Sequence, residues 1–240
     1  MIASNQTTPP PLDWIALIEA TLLGATAAML LAKLASGALV FYIHPRYAPL
    51  IAACAIVLLL MAGARLRALI RAPGETLARP RWRHLLLALP LLLGTLAPAR
   101  PLGAEAISGA LLDPGSALDT SALDDDSRQW NLLQWATALS VRGDELHGQP
   151  ADLVGFVYHD RQRPLDGFFV VRYVVTCCTA DSNGVGLPVS WPGGAALPAD
   201  SWVRVRGTLG TATLNGHVEP TLDAGAVDLV AQPENPYLYP

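Results

Sequence analysis

The chain has 240 residues, of which 52% are hydrophobic, and its formal net charge is −4. This length suits one soluble domain with a small membrane part, and three cysteines are too few for a disulfide-rich secreted framework. The charge is unevenly divided: residues 1–100 hold nine Lys and Arg against three Asp and Glu, and residues 101–240 hold seven against seventeen. An acidic C-terminal half argues against nucleic acid as a partner, because phosphate binding requires a basic surface.

Three apolar segments predict a multi-pass membrane domain over residues 1–104, in contact with the lipid bilayer. We expect the membrane-spanning helices over residues 14–41, 47–64 and 84–104. The second segment is almost uninterrupted. The third contains Pro90 and reaches full length only if it continues through the string PLGA to Ala104.

Basic residues between the second and third segments predict the orientation of the chain. Short Arg-rich loops stay in the cytoplasm, which places the N-terminus in the cytoplasm and the C-terminal domain outside it, in a bacterial cell membrane. The cluster consists of Arg65, Arg67, Arg71, Arg79, Arg81 and Arg83.

The first segment carries two features that suggest a membrane partner. Glu19 is ionisable within an apolar run, which indicates a contact with a partner or a place on a transport path; the alternative is that it reaches the interface. Small residues, Gly24 and Ala28 among them, lie near one helix face and allow another helix to approach closely. They are candidates for partner binding, and the alternative is packing against the protein's own helices.

Beyond the membrane domain, residues 105–126 are small, polar and acidic and predict a linker. Asp126 or Ser127 then offers an N-cap for a helix of three to four turns in the string SRQWNLLQWATAL. Its residues Trp130 and Trp135 are expected to be packing residues.

From Gly148 onward the hydrophobic period is two, which predicts a mostly β domain within residues 127–240. The expected fold is therefore a membrane α-helical part of three helices, followed by an OB-like small barrel that is preceded by one helix, with a small sandwich as the alternative. The candidate strands are Asp152–His159, Phe168–Cys177, Val185–Ser190, Trp202–Leu209, Thr211–His217 and Ala226–Val230.

Two adjacent cysteines form the most specific local pattern of the chain. In a regular strand, Cys177 and Cys178 point to opposite faces, with Cys178 on the more polar face, and they cannot share one metal ion. A bulge or turn would let them converge with Asp181, and His159 or His217 would be available to complete a site for zinc or copper(I). Structural thiols, a metal site and a disulfide or redox pair all remain open.

Several strings together resemble the YcgQ-like family of bacterial membrane proteins, which are described as permease subunits. They are YIHPRY at 42–47, the Arg-rich loop, PLGA at 101–104, TCCTAD at 176–181, Trp202 at the start of a strand, and NPYLYP at 235–240. The resemblance covers nearly the whole chain. It implies that a larger multi-helix permease accompanies the protein, and it marks Cys177, Cys178 and Asp181 as candidate positions without assigning them a role.

These observations predict a non-enzymatic accessory membrane subunit of a transport complex. Its extracytoplasmic domain would handle a solute or a thiophilic metal ion such as zinc. The alternative is a membrane-anchored thiol-redox or metal-binding protein that acts without a permease; the absence of a Cys-x-x-Cys motif counts against redox activity.

Overall fold

A computed structural model of the chain describes residues 14–71, 82–107, 123 and 126–240. The chain forms two compact units. The first comprises residues 1–40 and 45–100, and the second comprises residues 101–240 together with the short segment Phe41–His44. Part of the predicted Arg-rich loop and most of the predicted linker lie outside the described residues.

The first unit is helical, with α1 at Trp14–Ala35, α2 at Ala48–Arg71 and α3 at Trp82–Leu96. Within the described residues, two apolar helices are long enough to cross a bilayer, α1 and the stretch Pro45–Arg71. Few of their side chains are buried, 11% and 6% of the most apolar window of each, unlike those of a core helix in a soluble protein. The first and second apolar helices are therefore confirmed as helices of sufficient length, but the predicted extent of the first to residue 41 is wrong, because α1 ends at Ala35 and Phe41 belongs to the second unit.

The predicted continuation of the third helix to Ala104 is wrong, because α3 ends at Leu96. Pro98 and Pro101 follow at once, and proline lacks the N–H that a continuing helix needs. The chain beyond Arg100 joins the second unit instead: Leu102 N–H donates to the Tyr237 hydroxyl at 3.0 Å, and Ala104 N–H donates to Asp200 Oδ1 at 2.6 Å.

In the described part of the second unit, the α-helix α4 lies at Leu132–Arg142 and is preceded by a short 3-10 turn at Ser127–Gln129. Asn131 is the N-cap of α4, accepting from the N–H groups of Leu133 and Gln134, while Gln134 accepts from Asn131 N–H. The predicted cap at Asp126 or Ser127 is wrong for α4, because Asp126 caps the preceding 3-10 turn. As predicted, Trp130 and Trp135 are buried core residues.

Six strands form the sheet of this unit, and five of them pair in a closed cycle. The pairing order is β1-β4-β5-β3-β2-β6, and β1 also pairs with β2. β3 and β5 are parallel, as are β2 and β6, and the remaining pairs are antiparallel. The strands are β1 Pro150–Tyr158, β2 Gly167–Val174, β3 Asn183–Ser190, β4 Trp202–Leu214, β5 His217–Leu229 and β6 Tyr237–Leu238.

Two predicted strands, 202–209 and 211–217, form the single strand β4 and the start of β5. Gly210 does not end the strand; it allows close approach, because a Cβ there would lie 2.4 Å from Asp223 Oδ2. The chain reverses at Asn215-Gly216, where φ is 50° and 82°. Positive φ at both central residues is typical of a two-residue hairpin turn.

The hydrophobic core lies between α4 and one face of the sheet. Because β2 is buried at almost every position, both of its faces are covered. The second face packs against aromatic residues and the chain around Leu102–Ile107. Large buried side chains of the main core include Leu132, Trp135, Leu153, Phe168, Val170, Leu187 and Leu222.

Candidate metal centre

The two cysteines lie in a turn that follows β2. The strand ends at Val174, three residues earlier than predicted, and a short 3-10 turn at Thr179–Asp181 follows before β3 begins. The alternation of faces therefore does not extend to the cysteines. Cys177 is exposed and Cys178 is half-buried, so the expectation that Cys178 occupies the more polar position is wrong.

Asp181 organises this turn through main-chain hydrogen bonds. Its Oδ1 accepts from Thr176 N–H at 3.1 Å and its Oδ2 from Cys177 N–H at 2.8 Å, while Asp181 N–H donates to Cys178 O at 3.0 Å. A side chain that accepts neighbouring N–H groups stabilises a turn in place of strand pairing. The carboxylate is thus held beside the cysteines by the backbone that carries them.

The turn brings the three predicted metal ligands together. The two sulfur atoms and a carboxylate oxygen, from Cys177, Cys178 and Asp181, all lie within 4.8 Å of one another. Both cysteines are free thiols, with their Sγ atoms 3.6 Å apart. Two thiols with one carboxylate suit zinc, which is bound by four ligands in structural sites and by three protein ligands in open sites.

Hydrogen bonding favours the protonated form of the Cys177 thiol. The thiol donates a hydrogen bond to the Asp181 carboxylate and is also hydrogen-bonded to Cys178. These hydrogen bonds, with smaller contributions from local desolvation and the nearby negative charge, raise the pKa of Cys177 to about 11. Desolvation opposes ionisation of Asp181, but the hydrogen bonds from Cys177 and the neighbouring backbone lower its pKa overall. At neutral pH a metal ion would therefore displace the thiol proton as it binds.

Alkylation of Cys177 should be slow in the metal-free protein. The rise in its pKa from 9.0 to about 11 lowers the fraction of thiolate at pH 8 about hundredfold. The more basic thiolate is about tenfold more nucleophilic, which offsets part of this loss. The net rate of alkylation therefore falls about tenfold. Asp181→Asn should restore most of that rate. Iodoacetamide labelling of the chelator-treated full chain, resolved by peptide mass spectrometry, measures it; equal rates in the two proteins, with a midpoint near pH 9, would contradict the assignment.

A segment far away in sequence pairs with the cysteine turn. Ile43 forms an isolated antiparallel bridge with Cys178, His44 N–H donates to Cys177 O at 3.0 Å, and Thr179 N–H donates to Tyr42 O at 2.9 Å. The segment connects α1 to α2 in the chain but belongs to the second unit. Our sequence interpretation missed this pairing, although the polar string YIHPRY between two apolar segments was a signal for it.

The C-terminal tail supports the same turn from another side. β6 pairs with the end of β2, and Val175 N–H donates to Leu238 O at 2.9 Å. The guanidinium of Arg172 donates to the main-chain carbonyls of Asn235, Pro236 and Tyr237. Burial lowers the pKa of Arg172 to about 10. The terminal string NPYLYP thus stabilises the end of β2, which precedes the cysteines.

The other predicted site residues lie in the helical unit. Glu19 Oε1 is 3.3 Å from His84 Nε2, and Glu19 Oε2 is 3.5 Å from Arg65 Nε, so its partners come from α2 and α3. A Cβ on Gly24 would lie 3.9 Å from Ala62 Cβ of α2, whereas Ala28 is exposed. The role of these residues in binding a partner stays a prediction.

One family model matches most of the unit that holds the turn. Residues 126–240 match the family model described as the DUF1980 C-terminal domain. The UPF0703 protein YcgQ of Bacillus subtilis (strain 168) is 26% identical over 126 residues, which is 52% of this chain and 42% of that protein. The chain thus covers less than half of that relative's length. No solved structure matches significantly. These matches support the resemblance to the YcgQ-like family, and neither name describes an enzyme.

Proposed function

We propose that the protein is a membrane-anchored accessory subunit of a transport complex whose extracytoplasmic domain binds a thiophilic divalent metal ion, zinc in the first instance. The observation that carries this proposal is the convergence of Cys177, Cys178 and Asp181 on one exposed turn, with their donor atoms within 4.8 Å. The turn lies at the surface, with Cys177 exposed and Cys178 half-buried, so an ion held there can be exchanged with another component.

The alternative, a thiol-redox protein, has less support. Reactive cysteines have lowered pKa values, and the pKa of Cys177 is raised. A metal ion can still bind such a thiol, because the bound ion itself displaces the proton, although binding is then weaker at low pH.

For the domain we propose an OB-like closed barrel. Its support is the cyclic pairing of β1, β2, β3, β5 and β4, together with the parallel β3–β5 pair. In this cycle each of the five strands has a neighbour on both sides over part of its length, which limits the strand edge left open to solvent. A barrel of this kind would present the cysteine turn as one of its surface loops.

The segment Phe41–His44 supports a proposal for the membrane topology of the chain, because it pairs with the β domain. A segment that is paired with the β domain must share its aqueous compartment. Because α1 and α2 leave from the two ends of this segment, Arg71 then lies on the opposite side of the membrane, and the chain must cross once more before Pro101. The helix α3, with 15 residues, spans about 22 Å, so this crossing requires local thinning of the ~30 Å hydrocarbon layer.

Metal analysis of the full-length chain in detergent tests the proposal. We expect about one zinc ion per chain after exposure to zinc and removal of the excess, with two thiols protected from titration until the ion is chelated. The C-terminal residues must be studied with the segment Phe41–His44 attached, because it is part of the same unit. A metal-free chain with three titratable thiols would exclude the metal role, and two missing thiols that return only on reduction would favour the redox alternative.

Docking of a larger permease is expected to use the exposed face of α1 around Ala28. Replacing this exposed alanine with leucine prevents close approach of another helix, so Ala28→Leu should lower recovery of a co-purifying multi-helix membrane protein about tenfold, equivalent to ~1.4 kcal/mol. Ala53→Leu, at an exposed position of α2, is the matched control. Gly24→Leu should instead disturb packing against Ala62. If gentle extraction yields only the lone chain, or Ala28→Leu retains its partner, the transport-subunit proposal loses its main support.

A further inference from the structure

The pairing between the segment Phe41–His44 and the cysteine turn sets a specific register. Ile43 opposes Cys178, and the hydrogen bonds on either side of this bridge run from His44 N–H to Cys177 O and from Thr179 N–H to Tyr42 O. Antiparallel pairing therefore places His44 opposite Cys177. Opposed residues of an antiparallel pair have Cβ atoms about 4.5–5.5 Å apart, which brings the His44 side chain within reach of the cysteine turn.

The donor set on the turn lacks one ligand of a tetrahedral zinc site. Cys177, Cys178 and Asp181 supply two sulfur atoms and one oxygen, and an imidazole nitrogen is the usual complement. Zinc lies about 2.3 Å from a thiolate sulfur and about 2.0 Å from an imidazole nitrogen, so opposed Cys and His side chains at this Cβ separation can share one ion.

The geometry points to His44 as the fourth ligand of this centre, an inference that rests on the proposed metal role of Cys177, Cys178 and Asp181. The hydrogen bond from His44 N–H to Cys177 O already holds the two main chains side by side, so we infer that ligation requires a rotation of the His44 side chain. In the structure the ring lies against Tyr239, with ring centroids 4.3 Å apart, and its nitrogens are outside the 4.8 Å group.

A neighbouring group suits the second nitrogen of the ligating imidazole. Metal-bound histidines donate their other N–H to an acceptor, which fixes the orientation of the ring. The hydroxyl oxygen of Tyr239 is buried and has no hydrogen-bond partner among the described residues, and its ring already contacts His44. We therefore assign Tyr239 as the acceptor that orients His44.

The other histidines considered in the sequence lie on different elements. His159 Nε2 is 2.8 Å from the main-chain carbonyl of Leu197, and exposed His217 begins β5 at the hairpin turn. Neither residue lies on the segment that pairs with the cysteine turn. Ligation by His44 would also have a consequence that ligation by the other histidines would not have. An ion bound by His44 would link the cysteine turn to the segment between α1 and α2, so metal binding would restrain that segment.

Cobalt(II) binding to the full-length chain in detergent tests the assignment, because its spectrum counts thiolate ligands. The wild-type site should give a sulfur-to-cobalt charge-transfer band from two thiolates. His44→Cys should add a third thiolate and raise the intensity of that band by about half, and His44→Ala should weaken zinc binding at least about tenfold while leaving the band's intensity at saturation unchanged. A merely structural role for His44 would not add intensity to the band.

His217→Cys is the matched control, since it places a thiol at an exposed histidine position outside the pairing. It should leave the band unchanged. If His44→Cys also leaves the band unchanged and His44→Ala binds zinc like the wild type, while Cys178→Ser loses binding, then His44 is not a ligand but the three-residue site stands. If the wild-type chain shows no charge-transfer band at all, both the fourth ligand and the metal role are overturned.

Discussion

Cys178→Ser should abolish zinc binding by the full-length chain. Thiolates supply the strongest interactions of a zinc site, and a serine hydroxyl stays protonated and binds weakly by comparison. Cys177→Ser should have the same effect, because the two sulfur atoms lie 3.6 Å apart on one turn. Equilibrium dialysis with zinc, followed by elemental analysis, measures the loss. Cys54→Ser is the matched control, since Cys54 is exposed on α2 and lies outside the ligand group.

The same variants should fold normally, which separates a ligand role from a packing role. Cys177 is exposed and Cys178 is only half-buried, so serine at either position should change the free energy of unfolding by less than about 1 kcal/mol. Thermal unfolding in detergent, without added metal, checks this expectation. Retention of a full zinc equivalent in both variants would contradict the site, and large destabilisation in the absence of metal would indicate structural thiols.

Metal affinity should also rise steeply with pH. The pKa of the Cys177 thiol is about 11, so across neutral pH the ion must displace its proton, and each proton displaced raises the apparent affinity about tenfold per pH unit. Asp181→Asn moves the thiol pKa back toward its ordinary value and removes an oxygen ligand, so its affinity should stop rising at a lower pH than that of the wild type and should be weaker at high pH.

Reporter fusions should give an all-or-none pattern along the chain. Alkaline phosphatase, which is active only outside the cytoplasm, should be active after Arg46, inactive after Arg71 and active after Pro240. The Arg-rich stretch after α2 favours a cytoplasmic location for Arg71, and the pairing of Ile43 with Cys178 requires residues 41–44 and the C-terminal domain to share a compartment.

A cytoplasmic reporter such as green fluorescent protein should give the complementary pattern at the same three positions. Activity of phosphatase after Arg71 alone would invert the topology and overturn the extracytoplasmic role. Equal activity after Arg71 and Pro240 would mean that the chain from α3 to Pro101 does not cross, and it would be incompatible with the pairing of residues 41–44.

Local patterns predicted the secondary structure well where a period or a turn signal was present. Some elements have a signal that is visible in a few residues, namely the alternation in β1 and β3 and the Asn215-Gly216 turn. The helices α1 and α2 are visible as long apolar runs. Element ends were less predictable. Asp126 and Asn131 are both good caps, and only the packing of α4 decides which of them starts the helix.

By itself, the sequence determined that the chain has an apolar, basic first part and an acidic, mostly β second part, and that Cys177, Cys178 and Asp181 are close along the chain. Only the tertiary structure decided that β2 ends before the cysteines, so that a turn held by Asp181 brings their donor atoms together. It also decided that β1 closes on β2 and that His44 N–H donates to Cys177 O. The contact between His44 and Cys177 joins residues more than a hundred positions apart, and pairing over that distance depends on long-range packing that leaves no periodic pattern in the sequence.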